Sequence, residues 1–155
     1  MKPRSFDYHA PTSLEEALQI LAADPDDSKV LAGGQSLVPM MNFRLASPAQ
    51  LVDINRVPGL TGIETMGDRV VISTRTRHIQ VQNNAVAGPL GSLLRKSAAY
   101  VGHLPVRTRG TFGGSIAHCD AASEWCLVAS LLDAEMTAVS LARGERTIAR
   151  PIATR

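Results

Sequence analysis

The apolar residues of this chain come in short bursts that switch repeatedly between a strand period and a helix period. Alternation at Phe6-Asp7-Tyr8-His9, closed by Pro11, predicts a first strand. Ser13-Leu14-Glu15-Glu16 then reads as a capping box, a hydroxyl and a carboxylate that satisfy the free N–H groups of a helix start. The helix it opens carries Leu14, Ala17, Leu18 and Leu21 on its inner face and ends at Asp24-Pro25-Asp26-Asp27. A strand at 29–31, a short helix over 37–45 interrupted by Pro39, and a strand at 50–54 follow. Pro58-Gly59 marks a seam that divides residues 1–57 from 58–155. Beyond it, 60–64 and 69–73 read as a hairpin across Met66-Gly67-Asp68, and helices are expected at 78–83, 89–101 and 121–132. Strands at 135–140 and, after a turn at Gly144-Glu145, at 146–148 complete an α+β pattern in two subdomains.

Composition narrows the partners. A chain of 155 residues with 45% apolar content can bury an ordinary globular core. Its formal charge of +2, scattered arginines and 4% aromatic content give no footprint for nucleic acid. Met1-Lys2-Pro3-Arg4-Ser5 leads into Phe6-Asp7-Tyr8-His9 and not into an apolar stretch, so no signal peptide is read. No window has the length of a transmembrane segment, and a cytoplasmic location is the expectation. Cys119 and Cys126 are too few for an iron–sulfur centre and read as structural thiols, unpaired in a reducing compartment.

The candidate chemistry lies in two small-residue segments, Ala32-Gly33-Gly34-Gln35-Ser36 and Thr111-Phe112-Gly113-Gly114-Ser115. Each pairs adjacent glycines with a nearby hydroxyl. Such a segment can turn with positive φ, present successive N–H groups and let an anion approach without meeting a Cβ. Each also reads as a plain turn. Neither is a Gly-x-Gly-x-x-Gly fingerprint nor a phosphate-binding Gly-x-x-x-x-Gly-Lys loop. Taken together, the two point to a diphosphate-containing ligand held mainly by backbone.

The stretch from Val30 through Ala32-Gly33-Gly34-Gln35-Ser36-Leu37-Val38-Pro39-Met40-Met41-Asn42-Phe43-Arg44-Leu45, with Leu51-Val52-Asp53-Ile54-Asn55, resembles the FAD-binding subunit of the molybdenum hydroxylases. This group includes the medium subunit of aerobic carbon monoxide dehydrogenase and the flavin part of xanthine dehydrogenase. A second block is similar too: Val101-Gly102-His103, then Val106-Arg107-Thr108-Arg109-Gly110-Thr111-Phe112-Gly113-Gly114-Ser115-Ile116-Ala117-His118, then Asp120 and Glu124. The similarity runs from Phe6 to about Arg146.

The resemblance implies a two-subdomain FAD-binding fold. Ala32, Gly33, Gly34, Gln35 and Ser36 would cradle the FAD diphosphate, and Thr111, Gly113, Gly114 and Ser115 would close on it from the other side. Val101 falls at an apolar contact to the cofactor. Glu124 falls at an acidic position that holds ribose hydroxyls, or else it is a first-turn helix acid favoured by the macrodipole. Asp120 reads as the helix N-cap. Phe112 and Ala121 depart from the family, which has a smaller aliphatic residue and often a proline there. His118 and His103 read as structural, and Met40-Met41 as a flexible core patch or a neighbour of the flavin. The implied partners are a molybdenum-cofactor large subunit and a [2Fe-2S] small subunit, with electrons passing through FAD to NAD, quinone or another acceptor. No residue is expected to act as a catalytic acid, base or nucleophile, and no metal site is expected. Members of this group run to nearly twice this length, so a truncated chain with weak FAD binding, or a redox-incompetent assembly module, is the other expectation.

Overall fold

The computed structural model describes residues 1–149. Strand β1 (Asp7–His9), helix α1 (Leu14–Ala23), strand β2 (Ser28–Leu31), helix α2 (Leu37–Asn42) and strand β3 (Gln50–Asp53) come first. The three strands form a parallel sheet in the order β1-β3-β2, with Leu51 opposite both Tyr8 and Lys29. Leu51 and Val52, successive residues on opposite faces of β3, are both buried, as befits the central strand of a covered parallel sheet.

Ser13 caps α1 as the sequence implies, its hydroxyl accepting the Glu16 N–H at 3.1 Å. The Glu16 carboxylate reaches one residue further back than a capping box requires and accepts the Thr12 N–H at 2.8 Å. Ala17, Ile20 and Leu21 pack over Val52 and Val57. Leu14, expected inside, is exposed, because the stripe that meets the sheet is rotated toward Ile20. Pro39 does not interrupt α2. It is the third residue of that helix, where an N–H has no intrahelical acceptor to lose. The helix stops at Asn42, ahead of Arg44 with φ of 59°.

A 3-10 turn (Ile54–Arg56) leads to the antiparallel hairpin of β4 (Ile63–Met66) and β5 (Arg69–Ile72), with β4 shifted later than the expected 60–64. Helices α3 (His78–Gln82), α4 (Gly88–Tyr100), α5 (Leu104–Arg109), α6 (Phe112–His118) and α7 (Glu124–Leu131) follow, then the hairpin of β6 (Glu135–Ser140) and β7 (Gly144–Ala149). Neither α5 nor α6 is read from the sequence. Gly113 and Gly114 each disfavour helix by roughly 1 kcal/mol relative to Ala, and this hides α6 from a propensity reading. Helix α7 begins later than the expected 121. Asp120 is not its N-cap: its carboxylate accepts the Ala122 N–H at 2.8 Å in a preceding turn, and Ser123 stands at the cap.

Two apolar clusters result. The smaller joins Ala17, Val52 and Val57, while the larger surrounds fully buried Trp125 with Val81, Leu94, Ala98, Val101 and Val128. Hairpin β6–β7 leaves Val139 and Ile148 exposed, and a solvated Arg69–Glu135 ion pair of 3.2 Å joins it to β5. The second unit expected from the sequence runs to 155, and 150–155 lie outside the described residues. Among the described residues no helix is long and apolar enough to cross a membrane, and both cysteines are free thiols.

Candidate functional site

The site is assembled by backbone pairing between two segments far apart in sequence. Gly113 N–H donates to Thr74 O at 2.9 Å, Phe112 N–H to Thr76 O at 2.8 Å, and His78 N–H to Gly110 O at 3.2 Å. This pairing allows nothing larger than glycine. A Cβ on Gly113 would lie 1.9 Å from Thr74 Oγ1, and one on Gly110 would lie 2.7 Å from the His78 ring. It brings Arg77 alongside Arg109, whose carbonyl accepts from the Arg77 guanidinium.

The first glycine loop leans on the same seam. A Cβ on Gly33 would stand 2.5 Å from Arg109 O, so the two blocks meet backbone to backbone. Between them lies a cavity of about 250 Å³, walled by Ala32, Gly33, Gly34, Val38, Asp53, Asn55, Arg77 and Arg109. Asn55 braces it, donating to Ala32 O at 2.8 Å and accepting from Arg77 at 2.8 Å. Burial pushes the Asp53 carboxyl upward, but hydrogen bonds from Tyr8 and Asn55 outweigh it and hold the group below its usual value. Arg77 is shifted down by burial first and then by the nearby Arg75 and Arg109 charges.

The two glycine segments differ in their free donors. The N–H groups of Gly33, Gly34, Gln35 and Ser36 meet no protein acceptor among the described residues, and the Ser36 hydroxyl makes no capping bond to α2. By contrast, every N–H from Phe112 to Ser115 is committed: the first two to Thr76 and Thr74, Gly114 to the Thr111 hydroxyl at 3.2 Å, and Ser115 to Thr111 O. The second segment is thus a helix start with Thr111 as its cap and not an open row of donors. Positive φ is likewise confined to Gly34, at 69°. The other three glycines of the pair serve close approach.

Ser115 bonds Ser123 hydroxyl to hydroxyl at 2.8 Å, which brings the second segment up to Glu124 at the start of α7. The half-buried Glu124 carboxylate has no hydrogen bond or ion pair among the described residues. Val101 is buried in the larger core and does not line the cavity. His118 and His103 are exposed. Met41 is buried and Met40 half-buried.

Sequence reasoning gave no role to Asn55, Arg77, Arg109 or His78. Asn55 and Arg109 lie within the two similar blocks, and that was the available signal. Arg77 and His78 lie outside both. His78 is buried, and its Nδ1 accepts the Trp125 Nε1–H at 3.0 Å. Burial first, and the Arg77 charge second, push its pKa down to about 4.

These features fit a diphosphate. Two residues with unpaired N–H groups, Gly33 and Gly34, and two arginines, Arg77 and Arg109, line a cavity where Asp53, the one acid among its described lining residues, is already saturated by hydrogen bonds, and the unpaired N–H groups of Gln35 and Ser36 follow in the same loop. No group of three metal-ligating side chains occurs among the described residues.

The model of the FAD binding domain in molybdopterin dehydrogenase matches residues 4–150. Over 148 residues the chain is 49% identical to the 6-hydroxypseudooxynicotine dehydrogenase complex subunit alpha of Paenarthrobacter nicotinovorans, covering 96% of this chain and 50% of that one. It is 45% identical over 122 residues to the carbon monoxide dehydrogenase medium chain of Hydrogenophaga pseudoflava, covering 76% of this chain and 41% of the other. A solved structure of carbon monoxide dehydrogenase from Hydrogenophaga pseudoflava superposes with a TM-score of 0.90 at 40% identity, over 96% of this chain and 51% of that one. Quinoline 2-oxidoreductase from Pseudomonas putida 86 gives 0.87 at 39% identity, with the same coverage of each chain. The chain spans about half the length of the relatives it matches. On this match and these identities, the chain belongs to the family of FAD-binding domains in molybdopterin dehydrogenases.

Proposed function

We propose that this chain is the FAD-holding part of an oxidoreductase complex of the molybdenum hydroxylase type. In that complex it receives electrons from a [2Fe-2S] subunit fed by a molybdenum-cofactor subunit, and delivers them to NAD, quinone or another acceptor. Residues 1–57 and 58–155 act as two subdomains that close on the cofactor, in a cytoplasmic enzyme. The observation that carries the reading is the row of unpaired N–H groups from Gly33 to Ser36, whose first two residues line a cavity shared with Arg77 and Arg109.

When bound, the flavin supplies the redox chemistry, accepting and releasing electrons. The chain's own residues bind and orient. Ala32, Gly33, Gly34, Gln35 and Ser36 present N–H groups and a hydroxyl to the diphosphate oxygens, and Arg77 and Arg109 offset their charge. Thr111, Gly113 and Gly114 act indirectly, holding the Arg109–Gly110 backbone against Gly33. Ser115 aligns the start of α7 through its bond to Ser123, where Glu124 would accept hydrogen bonds from ribose hydroxyls. Val101 stiffens the core behind this arrangement.

The test is a titration of the whole chain with FAD, followed by flavin absorbance and fluorescence, with ADP as competitor. Saturable binding that ADP reverses is the expected result, and no saturable binding would sink the reading. A second reading, a module that binds flavin without passing electrons, draws on hairpin β6–β7, whose Val139 and Ile148 are exposed to solvent. It predicts bound flavin that the natural electron donor does not bleach.

A further inference from the structure

Arg77 stands just before α3 and Glu124 is the first residue of α7, and the residues that follow them, His78 and Trp125, meet in one buried contact. Trp125 Nε1–H donates to His78 Nδ1 at 3.0 Å, across 47 residues of sequence. Trp125 is fully buried and His78 is 4% exposed. The rings stack at 6.0 Å with an interplanar angle of 25°, and Phe112 of α6 packs on the indole at 4.9 Å. His78 also holds the backbone of the second block, donating its N–H to Gly110 O. The hydrogen bond requires an unprotonated Nδ1, and a buried ring beside the Arg77 cation is kept neutral. The start of α3 and the start of α7 are therefore tied by one directional bond set in rigid packing.

We propose that the Trp125–His78 hydrogen bond is a positioning device that fixes the separation of Arg77 from Glu124, and so selects ligands carrying an adenosine diphosphate unit over bare diphosphates. The inference deepens the FAD reading and rests on it. A ligand that touches only the cavity feels Arg77, Arg109 and the first loop. A ligand that also places a ribose on Glu124 gains from having both contacts held at a fixed spacing before it arrives, because the ordering cost is already met in folding. Without the bond, α7 can shift against α3 and the second contact is made at the expense of ordering.

Trp125→Phe keeps the aromatic packing and removes only the donor. Binding of ADP and of inorganic pyrophosphate to the full chain is measured by calorimetry for wild type, Trp125→Phe, Glu124→Gln and the double variant. The expected result is an ADP affinity about tenfold weaker in Trp125→Phe, the scale of one well-placed hydrogen bond, with pyrophosphate affinity unchanged. In the Glu124→Gln background the tryptophan substitution has no further effect on ADP. His78→Gln retains an acceptor and restores most of the ADP affinity lost in His78→Leu, a pair that serves equally if Trp125→Phe does not fold. Equal losses for ADP and pyrophosphate, or no loss for either, would overturn the positioning role alone. Wild-type chain that binds neither ADP nor FAD overturns the FAD reading as well.

Discussion

Acidification is a direct probe of the buried imidazole at the centre of this fold. His78 titrates at about 4 in the folded chain, against an ordinary value of 6.5. Above pH 6.5 the ring is neutral whether the chain is folded or not, and its packing contributes in full. As pH falls below 6.5 the unfolded chain takes a proton that the folded chain refuses, so stability drops until the pH reaches about 4. Below that, both states carry the proton and the loss levels off. The difference of roughly 2.5 pKa units corresponds to about 3 kcal/mol at 1.36 kcal/mol per unit. That is a large share of the total stability of a small domain. Urea unfolding at a series of pH values between 7 and 4, followed by the fluorescence of the single tryptophan, measures it. Wild type loses about 3 kcal/mol more over this range than His78→Gln, in which the other titrating groups are unchanged and their effects cancel. Parallel loss in the two proteins refutes the reasoning.

Gly113→Ala forces a Cβ to 1.9 Å from Thr74 Oγ1 and 2.8 Å from Thr74 Cα, so backbone must move. Destabilisation of about 1–3 kcal/mol is expected in thermal unfolding. Asn55→Ala removes the bonds to Ala32 O and from Arg77 together, and costs about 2 kcal/mol in urea at neutral pH. Arg109→Met takes one of two cations from the cavity wall, leaving fold stability within about 0.5 kcal/mol for an exposed side chain. It weakens FAD binding severalfold and flattens the salt dependence of the binding constant, which titrations at low and high ionic strength report.

Local pattern carried the first half of the chain well. Ser13 caps α1, and the three strands at 7–9, 28–31 and 50–53 stand where alternation and turn residues put them. The error at Leu14 is one of rotation: helix period identifies a stripe but not which edge of it meets the sheet. The second glycine segment departs from the expected row of open N–H donors for a different reason. Adjacent glycines look the same in sequence whether they supply positive φ, as Gly34 does, or merely omit a Cβ against a neighbouring backbone, as Gly113 does against Thr74. The fate of the N–H groups at 112–115 depends on Thr74 and Thr76, and nothing in the local sequence announces that pairing. Trp125 and His78 were invisible as a pair, because their contact arises only when α3 and α7 pack. The candidate site was therefore legible as two blocks of small residues. Its charged wall and its buried brace come from tertiary structure.

An exposed Arg69–Glu135 pair links hairpin β6–β7 to β5, most of β6 is exposed, and Val139 and Ile148 face solvent. A surface ion pair of this kind is worth well under about 1 kcal/mol. The hairpin can consequently open as a unit while Trp125 and its shell stay closed, so amide protons of 135–149 exchange far faster than those of α4. Among the described residues, the turn between β6 and β7, where Leu141 and Arg143 are exposed, is an early cut site for a protease added to the native chain. The cavity at Gly33 and Arg109, built wholly from earlier elements, survives that cut.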